Sequence, residues 1–269
     1  MLNPSENLRV AGGLDRFFAE LDEWADATAW PVTTHRYGPK PDHEADLRLP
    51  AARPPHPVAV VVHGGFWREQ YTRRIMAASS IALAQAGWAS WNVEYRRTGT
   101  GGGVPATLED VSAAVAALDG LDTRLDRSTT VVVGHSAGGH LALWLAGTGL
   151  VSGAVSLAGV CDLNAAARDR LGAGAAVDFV GGTPDELPDA YALADLAPRL
   201  PAGVVQVLVH GERDDVVPLE QSRSFARRAL ASGDPCELVV LPDAGHFELI
   251  DPRSAAWPEV AAALARARS

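Results

Sequence analysis

A serine inside a glycine-rich hexapeptide, Gly134–Gly139, constrains the fold of this chain more than any other feature. An apolar, β-branched run at residues 129–133 precedes the hexapeptide and another apolar run at residues 141–145 follows it, which predicts a strand, a sharp turn and a helix. Glycine is needed on both sides of Ser136 because the turn brings backbone segments too close for a Cβ atom. In such a turn the hydroxyl projects above the sheet and faces the N-terminus of the helix. The pattern predicts a nucleophilic serine.

Strands and helices alternate from residue 58 onward, which predicts a mostly parallel central sheet flanked by helices. Residues 159–201 interrupt this alternation with glycines and prolines, and we expect them to form a cap over the carboxyl ends of the strands. Residues 1–30 are expected to form a helical arm, with the helix at 14–29, over the substrate entrance or the sheet edge. The chain, residues 1–269, is expected to be a single domain.

Composition narrows the classes of partner. The net charge of −10 argues against nucleic acid and anionic membranes as partners, and no apolar run is long enough to span a bilayer. The N-terminus lacks the features of a signal peptide, so we expect a cytoplasmic protein in which Cys161 and Cys236 are reduced. The two cysteines have no metal-ligand spacing. His43 and His56 lie in polar segments, where we expect them to be solvent-exposed and without a role.

The buried-strand pattern at residues 58–62 leads directly into His63-Gly64-Gly65-Phe66-Trp67. Paired glycines at the end of a strand weaken it unless the backbone must turn toward another group. One interpretation is a plain turn, and the other is half of an oxyanion hole, in which backbone N–H groups bind a developing negative charge. Beside the serine turn we favour the second interpretation, with the N–H groups of Gly65, Phe66 and Ala137 as donors.

A serine hydroxyl is too weakly acidic to attack a carbonyl without a base, so the chain must also supply a histidine and an acid that orients it. His246 lies in a Gly-His-Phe turn after the last predicted strand, at 237–241, and is the candidate base. The strand predicted at 204–209 is followed by two adjacent acids, Asp214 and Asp215, of which one can face His246.

The order serine, aspartate, histidine, with each residue following a strand, resembles that of serine esterases of the α/β-hydrolase superfamily. The resemblance covers about residues 58–250 and lies in four motifs: Val60–Gly65, Gly134–Gly139, His210–Pro218 and Gly245–Phe247. In that superfamily the acid commonly stands three positions after the His-Gly pair and three before Val-Pro, which selects Asp214. The resemblance implies hydrolysis of a small-molecule ester or amide through an acyl-serine, with no metal or organic cofactor.

Three functions follow from these residues. The leading one is hydrolysis of a small or medium carboxylic ester, with acyl transfer as a variant. The His-Gly-Gly-Phe-Trp sequence is also similar to the His-Gly-Gly-x-Trp motif of kynurenine formamidases, and it departs from the His-Gly-Gly-Gly motif of hormone-sensitive-lipase-type esterases at Phe66. An arylformamidase acting on N-formylkynurenine is therefore the alternative, with the rings of Phe66 and Trp67 stacking on the substrate. A non-catalytic binding module would be expected to lack a member of the serine–histidine–aspartate set. The residues expected to line the substrate pocket are Trp67, His135, Phe179 and Phe247, with Tyr191 as a further candidate.

Overall fold

One eight-stranded sheet runs through the computed structural model, which describes residues 12–268. The strands are β1 (Thr33–Arg36), β2 (Glu44–Arg48), β3 (His56–Val62), β4 (Ala89–Val93), β5 (Leu125–His135), β6 (Gly153–Leu157), β7 (Val205–Gly211) and β8 (Cys236–Leu241). Their order across the sheet is β1-β2-β4-β3-β5-β6-β7-β8. Strands β3 to β8 are all parallel to one another, β2 pairs antiparallel with β4, and β1 pairs antiparallel with β2 at the edge. The mostly parallel sheet that the sequence predicts is confirmed.

Helices cover both faces of the sheet. They are α1 (Gly13–Thr28), α2 (Ala77–Gln85), α3 (Ala106–Ala116), α4 (Ala137–Ala146), α5 (Leu163–Arg168), α6 (Leu171–Val180), α7 (Pro188–Ala194), α8 (Glu220–Ala231) and α9 (Trp257–Ala267), with short 3-10 turns at Arg73–Met76, Ala197–Arg199 and Glu248–Ile250. Helices α1, α2 and α9 pack on one face, and α3 to α8 pack on the other. Alternate side chains of β3 point to opposite faces, so that Val60 and Val61 belong to different apolar clusters. All five residues from Val58 to Val62 are fully buried, as strands covered on both faces require.

Two local expectations are wrong. His43 and His56 are buried, not exposed. The His43 ring stacks on Tyr37, and its Nε2 donates to Asp110 Oδ1 at 2.8 Å. This carboxylate lies 67 positions away on α3, so the polar segment around His43 gives no sign of it.

Cys161 and Cys236 are free thiols. No helix between residues 12 and 268 is long and apolar enough to cross a membrane.

Candidate active site

The backbone at Ser136 has a conformation that L-amino acids rarely adopt. Its φ is +57° and its ψ is −119°, at the junction between β5 and α4. Its N–H donates to Leu157 O on the neighbouring strand at 2.8 Å, which ties the turn to the sheet. A Cβ atom on Gly134 would collide with the carbonyl of Gly138, and one on Gly138 would collide with that of Val62. The turn therefore needs the two glycines that flank the serine in sequence.

His246 and Asp214 form a hydrogen-bonded pair at the same edge of the sheet. His246 Nδ1 donates to Asp214 Oδ2 at 2.7 Å, and Asp214 Oδ1 accepts the N–H groups of Val216 and Val217 at 2.8 Å each. Burial acts to raise the pKa of Asp214, but His246, His210 and the Val217 N–H outweigh it and hold the pKa well below the usual range. The ionised carboxylate fixes the proton of His246 on Nδ1, which leaves Nε2 as the basic atom. Asp215 lies instead on the wall of the cavity described below.

Ser136 and His246 line one cavity. No hydrogen bond joins the Ser136 hydroxyl to His246 among the contacts of residues 12–268. Catalytic hydrogen bonds of this kind are often long in the unliganded state and tighten when the substrate binds. The structure thus brings the three predicted residues to one site, with the histidine–aspartate bond already formed.

The His63–Trp67 loop packs directly against the serine turn. A Cβ atom on Gly64 would come within 2.6 Å of the His135 carbonyl oxygen. Gly65 has a φ of +102°, and a Cβ atom there would collide with the Tyr71 ring. Within residues 12–268, the N–H groups of Gly65, Phe66 and Ala137 donate to no other group. These three N–H groups are therefore available to a ligand oxygen, as an oxyanion hole requires.

The cavity above Ser136 has a volume of about 260 Å³ and mostly apolar walls. Its polar lining comes from Ser136, His135, Asp215 and His246, and its apolar lining includes Leu14, Phe18, Phe66, Tyr71, Ile75 and Phe247. Leu14 and Phe18 belong to α1, so this helix closes one side of the cavity. The Phe18 ring lies 5.8 Å from that of Phe247 and 6.1 Å from that of Tyr71. The apolar residues of α1 recur at helical spacing in the sequence, and this spacing could have indicated the wall. The residues predicted to line the pocket included none from α1.

The structure places two of the four predicted pocket residues, His135 and Phe247, on the cavity wall. The prediction is wrong for Trp67 and Phe179, which stack on each other at 4.5 Å inside the core and are each 1% exposed. Positive φ angles at both Phe66 and Trp67 turn the chain there, so that the Phe66 ring faces the cavity and the Trp67 ring enters the core. Tyr191 is also buried in the core, away from the cavity.

The segment 159–201, expected to cap the carboxyl ends of the strands, contributes no residue to the lining of the cavity. Helices α5, α6 and α7 pack into the same apolar cluster as α4. Helix α6 approaches the site at Phe66, whose ring would lie 2.6 Å from a Cβ atom on Gly172. Before α5, the Val160 N–H donates to the Ser136 carbonyl oxygen at 3.3 Å. Tertiary packing brings α1 to the wall in place of this segment. Within residues 12–268 no group of three or more His, Cys, Asp or Glu side chains has metal-site geometry.

Two buried histidines next to the site are electrostatically perturbed. Burial and the neighbouring His246 lower the pKa of His135 to about 3, and its Nε2 donates to the His246 carbonyl at 3.0 Å. Burial lowers the pKa of His140 to about 4, and its Nε2 donates to the Ala194 carbonyl at 2.9 Å. Both rings are therefore neutral near pH 7 and act as hydrogen-bond donors to the backbone.

The lowered pKa values of His135 and His140 predict that the folded protein loses stability in acid. The unfolded chain binds their protons below about pH 6.5, whereas the folded chain does so only near pH 3 or 4. The free energy of unfolding should therefore fall as the pH drops below about 6.5, by up to about 1.4 kcal/mol per pH unit for each ring. For His140 the loss ends near pH 4. Urea unfolding across this range should show a shallower pH dependence for His140→Gln, which keeps a donor for Ala194. Equal slopes in the two proteins would contradict the assignment.

The strand order, with Ser136 between β5 and α4, Asp214 after β7 and His246 after β8, is that of the α/β-hydrolase fold. Comparison with known families agrees with this fold and identifies a particular family. The chain belongs to the BD-FAE family, whose model matches residues 45–189.

Individual relatives agree with this classification. The chain is 31% identical over 247 residues to Esterase LipC of Mycobacterium tuberculosis, an alignment that covers 80% of this chain and 59% of LipC. The chain thus spans about three fifths of the length of that relative. Among solved structures, a truncated carbohydrate esterase from gut microbiota superposes with a TM-score of 0.74 at 20% identity, covering 87% of this chain and 95% of the other. Esterase B from Lactobacillus rhamnosis superposes with a TM-score of 0.72 at 19% identity, covering 96% and 91%. At these identities the two structures show a shared fold.

Proposed function

We propose that this protein is a serine hydrolase that cleaves a small or medium carboxylic ester through an acyl-enzyme on Ser136. The observation that carries the proposal is the His246–Asp214 hydrogen bond at the wall of the cavity into which the strained Ser136 turn projects. The BD-FAE family match and the name of the esterase relative LipC support the same reaction type.

The reaction would run in two halves. His246 Nε2 takes the proton of the Ser136 hydroxyl as its oxygen attacks the ester carbonyl, and the N–H groups of Gly65, Phe66 and Ala137 bind the resulting oxyanion. The histidine then gives the proton to the departing alcohol, and the acyl group stays on the serine. Water then attacks the acyl carbonyl while His246 takes its proton. The histidine returns this proton to the serine oxygen, which releases the carboxylic acid and free Ser136. Asp214 stabilises the imidazolium in both halves without taking a proton, because its pKa is so low.

The volume and the lining of the cavity favour small, uncharged acyl groups. A volume of about 260 Å³ lies just below the range of about 300–1,000 Å³ common for ligand pockets, so short acyl chains should fit best. The apolar side chains that line it favour an uncharged acyl group.

The aromatic lining keeps arylformamidase activity as the alternative function. Phe18, Phe66, Tyr71 and Phe247 offer rings against which an aryl group could stack. Trp67 no longer supports this alternative, because its ring lies in the core. The cavity lining within residues 12–268 also includes no lysine or arginine to pair with the carboxylate of N-formylkynurenine. A non-catalytic module is disfavoured because the structure assembles the histidine–aspartate pair and the available N–H donors.

The test is a series of p-nitrophenyl esters from acetate to decanoate, assayed beside N-formylkynurenine. We expect kcat/KM to be highest for a short ester and to fall as the chain outgrows the cavity. In Phe18→Ala the ester with the highest kcat/KM should have a longer acyl chain than in the wild-type protein. Each additional methylene that enters the freed space should raise kcat/KM by about fourfold. The matched control is Phe17→Ala, because Phe17 packs on Phe18 and Phe247 without lining the cavity.

Each outcome distinguishes the alternatives. A kcat/KM for N-formylkynurenine orders of magnitude above every ester would make the protein a formamidase. An unchanged optimum in Phe18→Ala would show that α1 does not bound the acyl site. The same shift in Phe17→Ala would show that the effect comes from loosening the helix.

A further inference from the structure

A buried charged cluster lies beneath the oxyanion loop and has no part in the proton transfers described above. Its centre is Glu94, which directly follows β4 and is 3% exposed. Glu94 Oε1 accepts from His63 Nε2 at 2.9 Å and from Arg97 Nη1 at 2.7 Å, and Oε2 accepts from the Arg73 N–H at 3.0 Å. A buried carboxylate is costly unless such donors surround it, so the cluster requires an explanation.

Both ring nitrogens of His63 face hydrogen-bond acceptors. Nε2 faces the carboxylate of Glu94, and Nδ1 faces the carbonyl oxygen of Gly64 at 2.8 Å. A carbonyl oxygen and an ionised carboxylate can only accept hydrogen bonds, so each nitrogen must carry a proton. This is the hydrogen-bonding pattern of an imidazolium.

Glu94 and Tyr95 both contact the His63 ring. Burial acts to raise the pKa of Glu94, but His63, Arg97 and the Arg73 N–H outweigh it, so the pKa lies below the ordinary value and the group stays ionised. The Tyr95 ring stacks on the fully buried His63 ring at 4.2 Å and 11°, and a cation over an aromatic face is attracted to it. The charge of Arg97 is shared with Asp42, to which Nη2 donates at 3.0 Å.

The acceptor of the Nδ1 proton links this cluster to the site. The Gly64 carbonyl belongs to the peptide group whose nitrogen is that of Gly65, one of the three predicted oxyanion donors. A peptide group is planar, so a bond to its oxygen also sets the direction of its N–H. A hydrogen bond accepted by the oxygen polarises the group and strengthens the N–H as a donor.

We propose that the Glu94–His63 pair is a positioning device for the oxyanion hole, which acts through the Gly64 carbonyl to aim and polarise the N–H of Gly65. This inference rests on the proposed function, because an oxyanion forms only if Ser136 attacks a carbonyl. Neither His63 nor Glu94 lines the cavity above Ser136. Their contribution appears only when negative charge develops on the substrate oxygen.

The test compares Glu94→Gln with Asp110→Asn. Asp110 is a matched control because it is also a buried carboxylate, 1% exposed, which accepts from a histidine, His43, and an arginine, Arg96. Both variants should lose thermal stability. Glu94→Gln should also lose about tenfold to a hundredfold in kcat with KM unchanged, whereas Asp110→Asn should keep the wild-type kcat.

Two readouts separate positioning from general damage. A trifluoromethyl ketone forms a tetrahedral adduct on the serine, so its affinity should fall in Glu94→Gln by the same factor as kcat. In the wild-type protein, NMR should show two slowly exchanging ring N–H protons on His63. This second measurement needs no variant, and it decides the protonation pattern even if Glu94→Gln fails to fold.

The proposal is overturned if either His63 nitrogen lacks a proton in the wild-type protein, or if Glu94→Gln keeps its kcat or changes only KM. Equal losses of kcat in the two variants would also overturn it. A failure of the proposed function looks different. In that case the wild-type protein would not be labelled at Ser136 by a fluorophosphonate, whatever the state of His63.

Discussion

Replacing Ser136 with alanine is expected to lower kcat for ester hydrolysis by about 10⁶-fold. The variant lacks the hydroxyl oxygen that would form the acyl-enzyme, and neither His246 nor the N–H donors can replace it. The fold should be unaffected. Within residues 12–268 the hydroxyl of Ser136 has no hydrogen-bond partner to lose, and alanine tolerates the strained φ of +57° no worse than serine does.

Saturating ester assays on purified protein measure this effect, and mass spectrometry after fluorophosphonate treatment checks that the label is lost with the serine. The matched control is Ser79→Ala. Ser79 is also buried, its hydroxyl donates to the Ile250 carbonyl at 2.7 Å, and neither residue lines the cavity. Its loss should lower the melting temperature without changing kcat. Turnover in Ser136→Ala near the wild-type level would remove the nucleophile assignment and the acyl-enzyme with it.

Replacing Asp214 with asparagine should lower kcat by about 10⁴-fold. The two N–H groups of Val216 and Val217 bind one carboxylate oxygen, and this will hold the oxygen of the asparagine amide in that position. The amide NH₂ then faces His246 Nδ1, which must become an acceptor. The ring proton moves to Nε2, so the atom that should take the serine proton is no longer basic.

The neighbouring Asp215→Asn is the control for this prediction. Asp215 lies on the cavity wall and not at His246 Nδ1, so its amide variant should retain most of the wild-type kcat. A change in KM is compatible with that position. If Asp215→Asn were the more damaging of the two, the acid would be Asp215, and the hydrogen bond between Asp214 and His246 would have no catalytic role.

Asp214 and Asp215 are distinguished by their spacing within the motif and by their contacts in the structure. Their sequence alone leaves both open, and the spacing shared with other α/β-hydrolases selects Asp214. The structure supplies the physical basis: the turn after β7 directs Val216 and Val217 N–H groups at one oxygen of Asp214 and His246 at the other. Those contacts depend on a loop 32 positions away in the chain, which no local pattern describes.

The amino-acid sequence by itself determined the sheet, the serine turn and the loop that follows β3. These features follow from local restrictions: β-branched runs are buried in parallel strands, and only glycine fits where two backbones touch. Gly134 and Gly138 could therefore be assigned their places before any contact was known. The sequence left the helix at 14–29 either over the substrate entrance or at the sheet edge, and the tertiary structure decided most of what surrounds the serine. It brought Phe18 of α1 to the cavity, turned Trp67 and Phe179 into the core, buried His43 against Asp110 and joined His63 to Glu94. Such contacts join residues far apart in the chain, and their energy depends on packing and burial that the local sequence does not record.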